Sequence, residues 1–451
     1  MQPWSEDRIL SLAPDAASAS AGRALAIASK WSGIGSSDRA LWGLCQGSGK
    51  DPYQARIDLS EPAFKCSCPS RKFPCKHGIA LFLLFARTPA QFKTAPEPDW
   101  VAQWLASRAE RAEKKVERAV AAAEKPVDLE AQAKRAAQRE SRVSDGLAHC
   151  RLFLEDLLRR GIVAARTDDS TAWDRLAARM VDAQAPGLAT SIREVPALLA
   201  SGEGWELRTF AHIGRLHLLV SAGERLAQLP AEVAQDVRTA LGWTQSKEET
   251  LASAGLTDHW LVLGQITQAD DRIRTRRTWL WGVNHARVAL ILDFSVGPQS
   301  FDLTLASGTR FDGEVAFYPA RLPLRALIKS REMKGELSAS SFASADSTIE
   351  AALMRHAHAL AVNPFLTRWP LVLREVRMAR RGDAWYLRDA TGASLPLSPI
   401  QTSRDLLWKL LACVGTDPFA AGVEWDGTHA TVLGAATQAG YLDCTIREVD
   451  S

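Results

Sequence analysis

The sequence predicts a mixed α+β protein with several domains, and three observations support this. At 451 residues the chain exceeds one ordinary core of about 100 to 200 residues. Helical periodicity dominates the middle of the chain, whereas short alternating strands dominate its carboxy-terminal half. Cysteines and a histidine cluster near residue 70, which indicates a smaller third unit. We predict an amino-terminal domain at 1–95, a charged helical linker at 96–145, a helical domain at 146–250 and an α+β domain at 251–451.

Composition and charge exclude several classes of protein. Hydrophobic residues make up 46% of the chain and charged residues 24%, as in a globular protein. The formal net charge of +3 is too small to indicate general nucleic-acid binding. The first residues show no secretory signal, and the longest apolar run, Ile79 to Ala86, is far shorter than the roughly 18 residues of a membrane span. We therefore expect a cytoplasmic protein with no membrane segment.

The segment before the cysteine cluster has the pattern of a hairpin. Apolar and polar residues alternate from Tyr53 to Leu59, which predicts a half-buried strand. Ala63 to Lys65 predicts a second short strand that leads into the cysteines. From Ile79 to Phe85 every residue is apolar, which predicts a short buried helix. The order is therefore strand, strand, cysteine cluster, helix.

Four residues have the spacing and chemistry of zinc ligands. Cys66 and Cys68 offer two thiolates, and after a six-residue loop Cys75 and His77 offer a thiolate and an imidazole. Seven cysteines in the whole chain are too few for a disulfide scaffold. Zinc prefers these ligands in a tetrahedron, and four protein ligands leave no open position for water or substrate. The sequence thus predicts one structural Zn²⁺.

This Cys-x-Cys and Cys-x-His pattern resembles the SWIM-type zinc finger. The similarity extends over residues 47–85 and is closest to the form found in bacterial SWIM proteins. The resemblance implies a compact ββα unit that binds DNA or other proteins. The expected fold class is therefore an amino-terminal ββα SWIM zinc finger, a central helical region and a carboxy-terminal mixed α+β domain.

The resemblance also implies partners. Long bacterial SWIM proteins tend to be encoded beside MoxR-type AAA+ ATPases and von Willebrand A-domain proteins, so we expect a protein-interaction adaptor for such a system. The alternative is DNA binding, because residues 50–93 contain eight basic against three acidic side chains. The candidate contacts to nucleic acid or to a partner are Lys65, Arg71, Lys72 and Lys76.

A second basic segment leaves two interpretations open. Arg272, Arg274 and Arg276 alternate along one predicted strand, with Trp279 and Trp281 close behind. Such a strand could bind a nucleic-acid backbone and stack on bases, or it could be a solvated edge strand protected by charge. Most tryptophans lie inside apolar patterns and are expected in the core.

No catalytic constellation stands out in the sequence. The segment Gly47-Ser48-Gly49-Lys50 lacks the residues that complete a phosphate-binding loop and is better interpreted as a turn. His356 lies on the apolar stripe of a helix that we predict to begin at a capping box of Ser347 and Glu350. We expect a protein that is not an enzyme.

Overall fold

The computed structural model describes most of the chain. The described residues are 6–14, 16–47, 51–59, 63–70, 72–110, 129–166, 171–270, 273–296, 301, 305–402, 405–438 and 440–450. Within them, the amino-terminal part combines helices with one β-sheet and the middle is helical. The carboxy-terminal half contains two further β-sheets. The predicted mixed α+β class with several domains is confirmed.

The amino-terminal sheet has five strands, β1 (Trp31–Ser36), β2 (Ala40–Cys45), β3 (Tyr53–Asp58), β4 (Ala63–Cys66) and β5 (Lys93–Thr94). Its order is β4-β3-β2-β1-β5, with β5 parallel to β1 and the other neighbours antiparallel. Three helices accompany it, α1 (Glu6–Ser11), α2 (Ala16–Leu25) and α3 (Lys76–Arg87). The hairpin β3-β4 and the buried helix α3 are the elements that the sequence predicts.

The second face of this sheet is covered as well, which the sequence did not predict. A helix over residues 99–110, which we label α4, packs there through Trp104 and its apolar neighbours. Arg56 and Asp58, on the polar side of β3, are therefore only 8% and 7% exposed. The guanidinium of Arg56 lies 5.0 Å from the ring centre of Trp100, and Asp58 pairs with Arg108 at 3.1 Å. The expectation of a half-buried strand is wrong, because α4 replaces water on that side.

The middle of the chain is helical. It contains α5 (Leu129–Arg160), α6 (Thr171–Asp182), α7 (Pro186–Arg193), α8 (Val195–Leu199), α9 (Trp205–Gly223), α10 (Ala231–Leu241) and α11 (Lys247–Ala252). The amphipathic pattern that predicts α6 buries Trp173, Leu176 and Met180 in the common core. Val181, which the same pattern places on the stripe, is 45% exposed because it lies at the margin of the buried face.

The first carboxy-terminal sheet curls into a partly open barrel. Its strands are β6 (Leu256–Asp270), β7 (Ile273–Gly282), β8 (Arg287–Val296), β9 (Thr309–Phe317) and β10 (Ala326–Glu336), in the order β10-β9-β6-β7-β8. A parallel bridge from Leu290 to Arg325 and the bond from Leu290 N–H to the Leu324 carbonyl (2.8 Å) join β8 to the start of β10. This is the connectivity of a five-stranded Greek-key barrel of the OB type. β7 is thus an inner strand, and its interpretation as an edge strand is wrong.

The second carboxy-terminal sheet packs on the outside of this barrel. Its order is β13-β12-β11-β14-β15-β16, from strands β11 (Trp369–Arg381), β12 (Ala384–Arg388), β13 (Ser394–Pro396), β14 (Phe419–Trp425), β15 (Ala430–Thr437) and β16 (Gly440–Asp443). Trp279 and Trp281 are buried in this shared core, as the sequence predicts. At Gly264 (φ +149°) a Cβ would lie 2.6 Å from the Leu433 carbonyl oxygen, so this close approach requires glycine.

The remaining elements connect these sheets, and two predictions from the sequence are wrong in this part of the chain. They are α12 (Ile349–Val362), α13 (Pro399–Thr402), α14 (Asp405–Val414) and β17 (Ile446–Asp450), which pairs with β6 in parallel. The cap of α12 is Thr348, whose Oγ1 accepts the N–H of Ala351 at 3.2 Å, one residue later than predicted. The sequence also predicts a strand from Phe301 to Ala306, but the described residues of this segment lie in no strand. A membrane crossing would need a longer and more apolar helix than any in the described ranges.

Candidate metal centre

The β3-β4 hairpin positions the first two cysteines. Cys66 is the last residue of β4 and stands opposite Ala55 in the antiparallel register. Two hydrogen bonds extend the pairing past the strand end, from Ser67 N–H to the Gln54 carbonyl (3.1 Å) and from Gln54 N–H to Ser67 Oγ (2.9 Å). Cys68 therefore follows a fixed turn rather than a loose loop.

Helix α3 positions the second pair. Cys75 occupies its N-cap with extended backbone angles, and its carbonyl accepts the first helical bond from Ile79 N–H at 3.2 Å. His77 lies in the first turn and is 5% exposed. Amides at a helix start carry a partial positive charge that favours nearby thiolates.

The four donor atoms converge. The sulfurs of Cys66, Cys68 and Cys75 and a ring nitrogen of His77 all lie within 4.8 Å of one another. His77 Nδ1 is 3.8 Å from Cys66 Sγ and 4.0 Å from Cys75 Sγ. Zinc bonds of about 2.0 to 2.3 Å in a tetrahedron separate the donor atoms by about 3.5 to 3.8 Å. The residues present fit a zinc ion after a small contraction.

The thiols perturb one another because they are crowded and partly buried. The hydrogen bond from Cys66 lowers the pKa of the Cys75 thiol, and His77 and the Gly78 N–H act in the same direction. The same hydrogen bond and burial raise the pKa of Cys66, while burial raises that of Cys68. A divalent cation at the centre would remove this competition by binding all three sulfurs as thiolates.

A tight apolar shell surrounds the donors. The ring of Tyr53 lies 5.0 Å from that of His77, and Phe64 contacts Phe73 edge-on at 6.5 Å. A Cβ on Gly78 would lie 2.9 Å from the Phe64 ring, so α3 can approach the hairpin this closely only with glycine there. Gly78 is not among the residues predicted from the sequence, although a glycine in the first turn of an apolar helix is a recognisable signal.

The basic candidate residues do not form one patch. Lys65, Lys72 and Lys76 are exposed, and Arg71 lies outside the described residues. Lys65 is the register partner of Arg56 and so lies on the sheet face that carries α4. Lys76, in contrast, begins α3 on the opposite face. In the chain, Lys65 and Lys76 each adjoin a metal ligand, and Lys72 lies three residues before Cys75.

Cys45 and the basic segment of β7 do not belong to the set of four donors. Cys45 is fully buried in the apolar core beside β3, and burial raises the pKa of its thiol. Arg274 and Arg276 contact Ser295 (3.1 Å) and Asp293 (3.0 Å) on β8, while Arg272 lies outside the described residues. The side chain of Arg276 is 13% exposed, which leaves little of it for a nucleic-acid backbone.

Comparison with known families agrees with this geometry. Residues 61–85 match the SWIM zinc finger, and residues 138–241 match the SWIM-associated four-helix bundle domain. No curated protein and no solved structure matches the chain. The resemblance drawn from the two ligand pairs is confirmed, and the chain contains a zinc-binding finger followed by a helical bundle.

Proposed function

We propose that this chain holds one structural zinc ion through Cys66, Cys68, Cys75 and His77 and acts in the cytoplasm as a non-enzymatic adaptor between proteins. Its proposed partners are a MoxR-type AAA+ ATPase or a von Willebrand A-domain protein, as the resemblance implies. The closed ligand set supports a structural role, because a catalytic zinc keeps one position open. The finger then serves to fix α3 on the hairpin.

The observation that best supports an adaptor role lies on helix α9. Its inner face is buried in the bundle, yet Leu207, Phe210 and Leu218 on its outer face are 75%, 58% and 43% exposed. Their spacing of three and eight residues puts them on one side of the helix, together with Gly214. A helix that is apolar on both faces is normally covered on both. This outer face of α9 is the docking surface that we assign to the partner.

Replacing Phe210 by alanine is expected to weaken partner binding by about tenfold or more, because a central aromatic side chain is the usual hot spot of an interface. The measurement is the Kd of the full-length protein for the purified ATPase and for the purified von Willebrand A-domain protein. Val181→Ala, on the exposed side of α6, is the matched control and should leave both values unchanged. Equal binding by wild type and both variants would remove this surface from the proposal.

Nucleic-acid binding is the second candidate function, and the exposure of Lys65, Lys72 and Lys76 around the finger favours it. If it is correct, affinity for generic single- and double-stranded DNA falls steeply with salt, by a logarithmic slope of about 0.7 to 0.9 per contacted phosphate. The double variant Lys72→Gln, Lys76→Gln should reduce that slope by about 1.4 to 1.8. The charge-matched control is Lys329→Gln with Lys334→Gln on the barrel. Absence of binding even at low salt would eliminate this candidate.

A further inference from the structure

A cavity of about 470 Å³ lies on the outside of the carboxy-terminal barrel, and the finger plays no part in it. Trp281 of β7 and Val288 of β8 form its floor, the loop between β9 and β10 forms one wall, and α12 with β11 closes it from the other side. The size is within the range of sites that bind small molecules, about 300 to 1,000 Å³.

The position of this cavity follows from the barrel's connectivity. β7 and β8 are the second and third strands of the barrel, and 318–325 is the loop between its fourth and fifth strands. Five-stranded barrels of this type carry ligands on the outer face of the second and third strands, beside that loop. In this chain the second sheet covers most of that face but leaves the cavity between β8, the loop and α12.

The walls are mainly apolar, but they contain one cation without a counter-charge. Arg287 is held by a hydrogen bond from its Nη2 to the Pro323 carbonyl (2.7 Å) and by the Phe317 ring 5.1 Å away. No carboxylate among the described residues pairs with it. The carboxylate of Asp346, which also lines the cavity, pairs with Arg355 at 2.8 Å.

Burial makes this arrangement costly without an anion. Removal from water lowers the pKa of Arg287, and no acidic neighbour in the described part of the chain opposes the effect. A half-buried guanidinium in an apolar cavity gains most from a bound anion, because the local dielectric is low. The aromatic and aliphatic walls, in turn, favour a flat aromatic ring system joined to that anion.

We propose that this cavity binds a small ligand in which a flat aromatic ring system is joined to one anionic group, with Arg287 contacting the anion and the Trp281, Leu324 and Ala352 walls contacting the ring system. Two sources share this chemistry, namely nucleoside monophosphates and aromatic carboxylates. The site is independent of the zinc finger and of the α9 surface.

The test uses two fluorescent probes that differ in one charged group. Anilinonaphthalene sulfonate carries the anion, and N-phenyl-1-naphthylamine has a similar aromatic body without it. We expect saturable binding of both to the full-length protein, with the sulfonate bound more tightly. Arg287→Met should weaken the sulfonate by about tenfold and leave the neutral probe unchanged. The control Arg310→Met, on an exposed side of the same barrel, should change neither.

A cavity-filling variant and competition complete the test. Ala352→Leu should weaken both probes together, with retention of the wild-type circular dichroism as the check on folding. Displacement of the sulfonate by AMP or UMP identifies the phosphate source, and displacement by benzoate identifies the carboxylate source. The proposal is overturned if Arg287→Met leaves the preference for the sulfonate intact, or if neither class displaces it at millimolar concentration.

Discussion

Replacement of Cys75 by serine is expected to release the zinc ion and unfold residues 61–85. Binding of a structural zinc contributes folding free energy of about 10 kcal/mol or more, which exceeds the marginal stability of a small domain. The loss should extend into the amino-terminal core, because α3 contributes Ile79, Leu81 and Phe82 to it. Metal analysis should return one zinc per wild-type chain and none for the variant. Limited proteolysis should cleave the variant first within its first hundred residues.

Cys45→Ser is the matched control for this result. It changes a thiol in the same core that is fully buried but lies outside the four donors. Zinc content should stay at one per chain, while stability falls by about 1 to 3 kcal/mol for the buried hydroxyl. A wild-type protein without zinc, or a Cys75→Ser variant that retains it, would contradict the assignment of these ligands.

The metal centre could be predicted from the sequence because its parts are close together in the chain. The two ligand pairs are separated by six residues, and both are attached to elements with clear local periodicity. The covering of β3 by α4 could not be predicted in this way. The sequence pattern predicts that Arg56 faces solvent. It is buried only because Trp100, more than forty positions later in the chain, packs against it.

The carboxy-terminal half shows the same limit more strongly. Several of its strands could be recognised individually, but pairing of β6 with β9 and closure of β8 onto the start of β10 are long-range events. The alternation of side chains along β7 predicts which residues share a face of the strand. It does not predict which other elements pack against each face. Trp279 and Trp281 face the second sheet, whereas Arg274 and Arg276 form hydrogen bonds to side chains of β8. The arginines are therefore paired within the barrel and do not form an exposed charged edge. The cavity beside Arg287 depends on the same tertiary arrangement.

A buried ionic cluster joins the barrel to the second sheet. Glu424 of β14 is 2% exposed and accepts two bonds from Arg277 of β7, at 3.1 and 3.0 Å. It also accepts the indole N–H of Trp279 at 2.7 Å. Arg277 donates a further hydrogen bond to Gln268. Glu424 and Arg277 are 147 residues apart in the chain, so the cluster fixes how the two sheets meet.

Glu424→Ala is expected to destabilise the carboxy-terminal half by about 3 to 5 kcal/mol, because it leaves Arg277 buried without its counter-charge. The measurement is the free energy of unfolding obtained from urea titration. Glu375→Ala, which removes an exposed carboxylate from the neighbouring strand β11, should lower it by less than about 0.5 kcal/mol. The double variant Glu424→Leu, Arg277→Met removes both charges and should recover most of the loss. If Glu424→Ala is no more destabilising than Glu375→Ala, the cluster does not hold the sheets together.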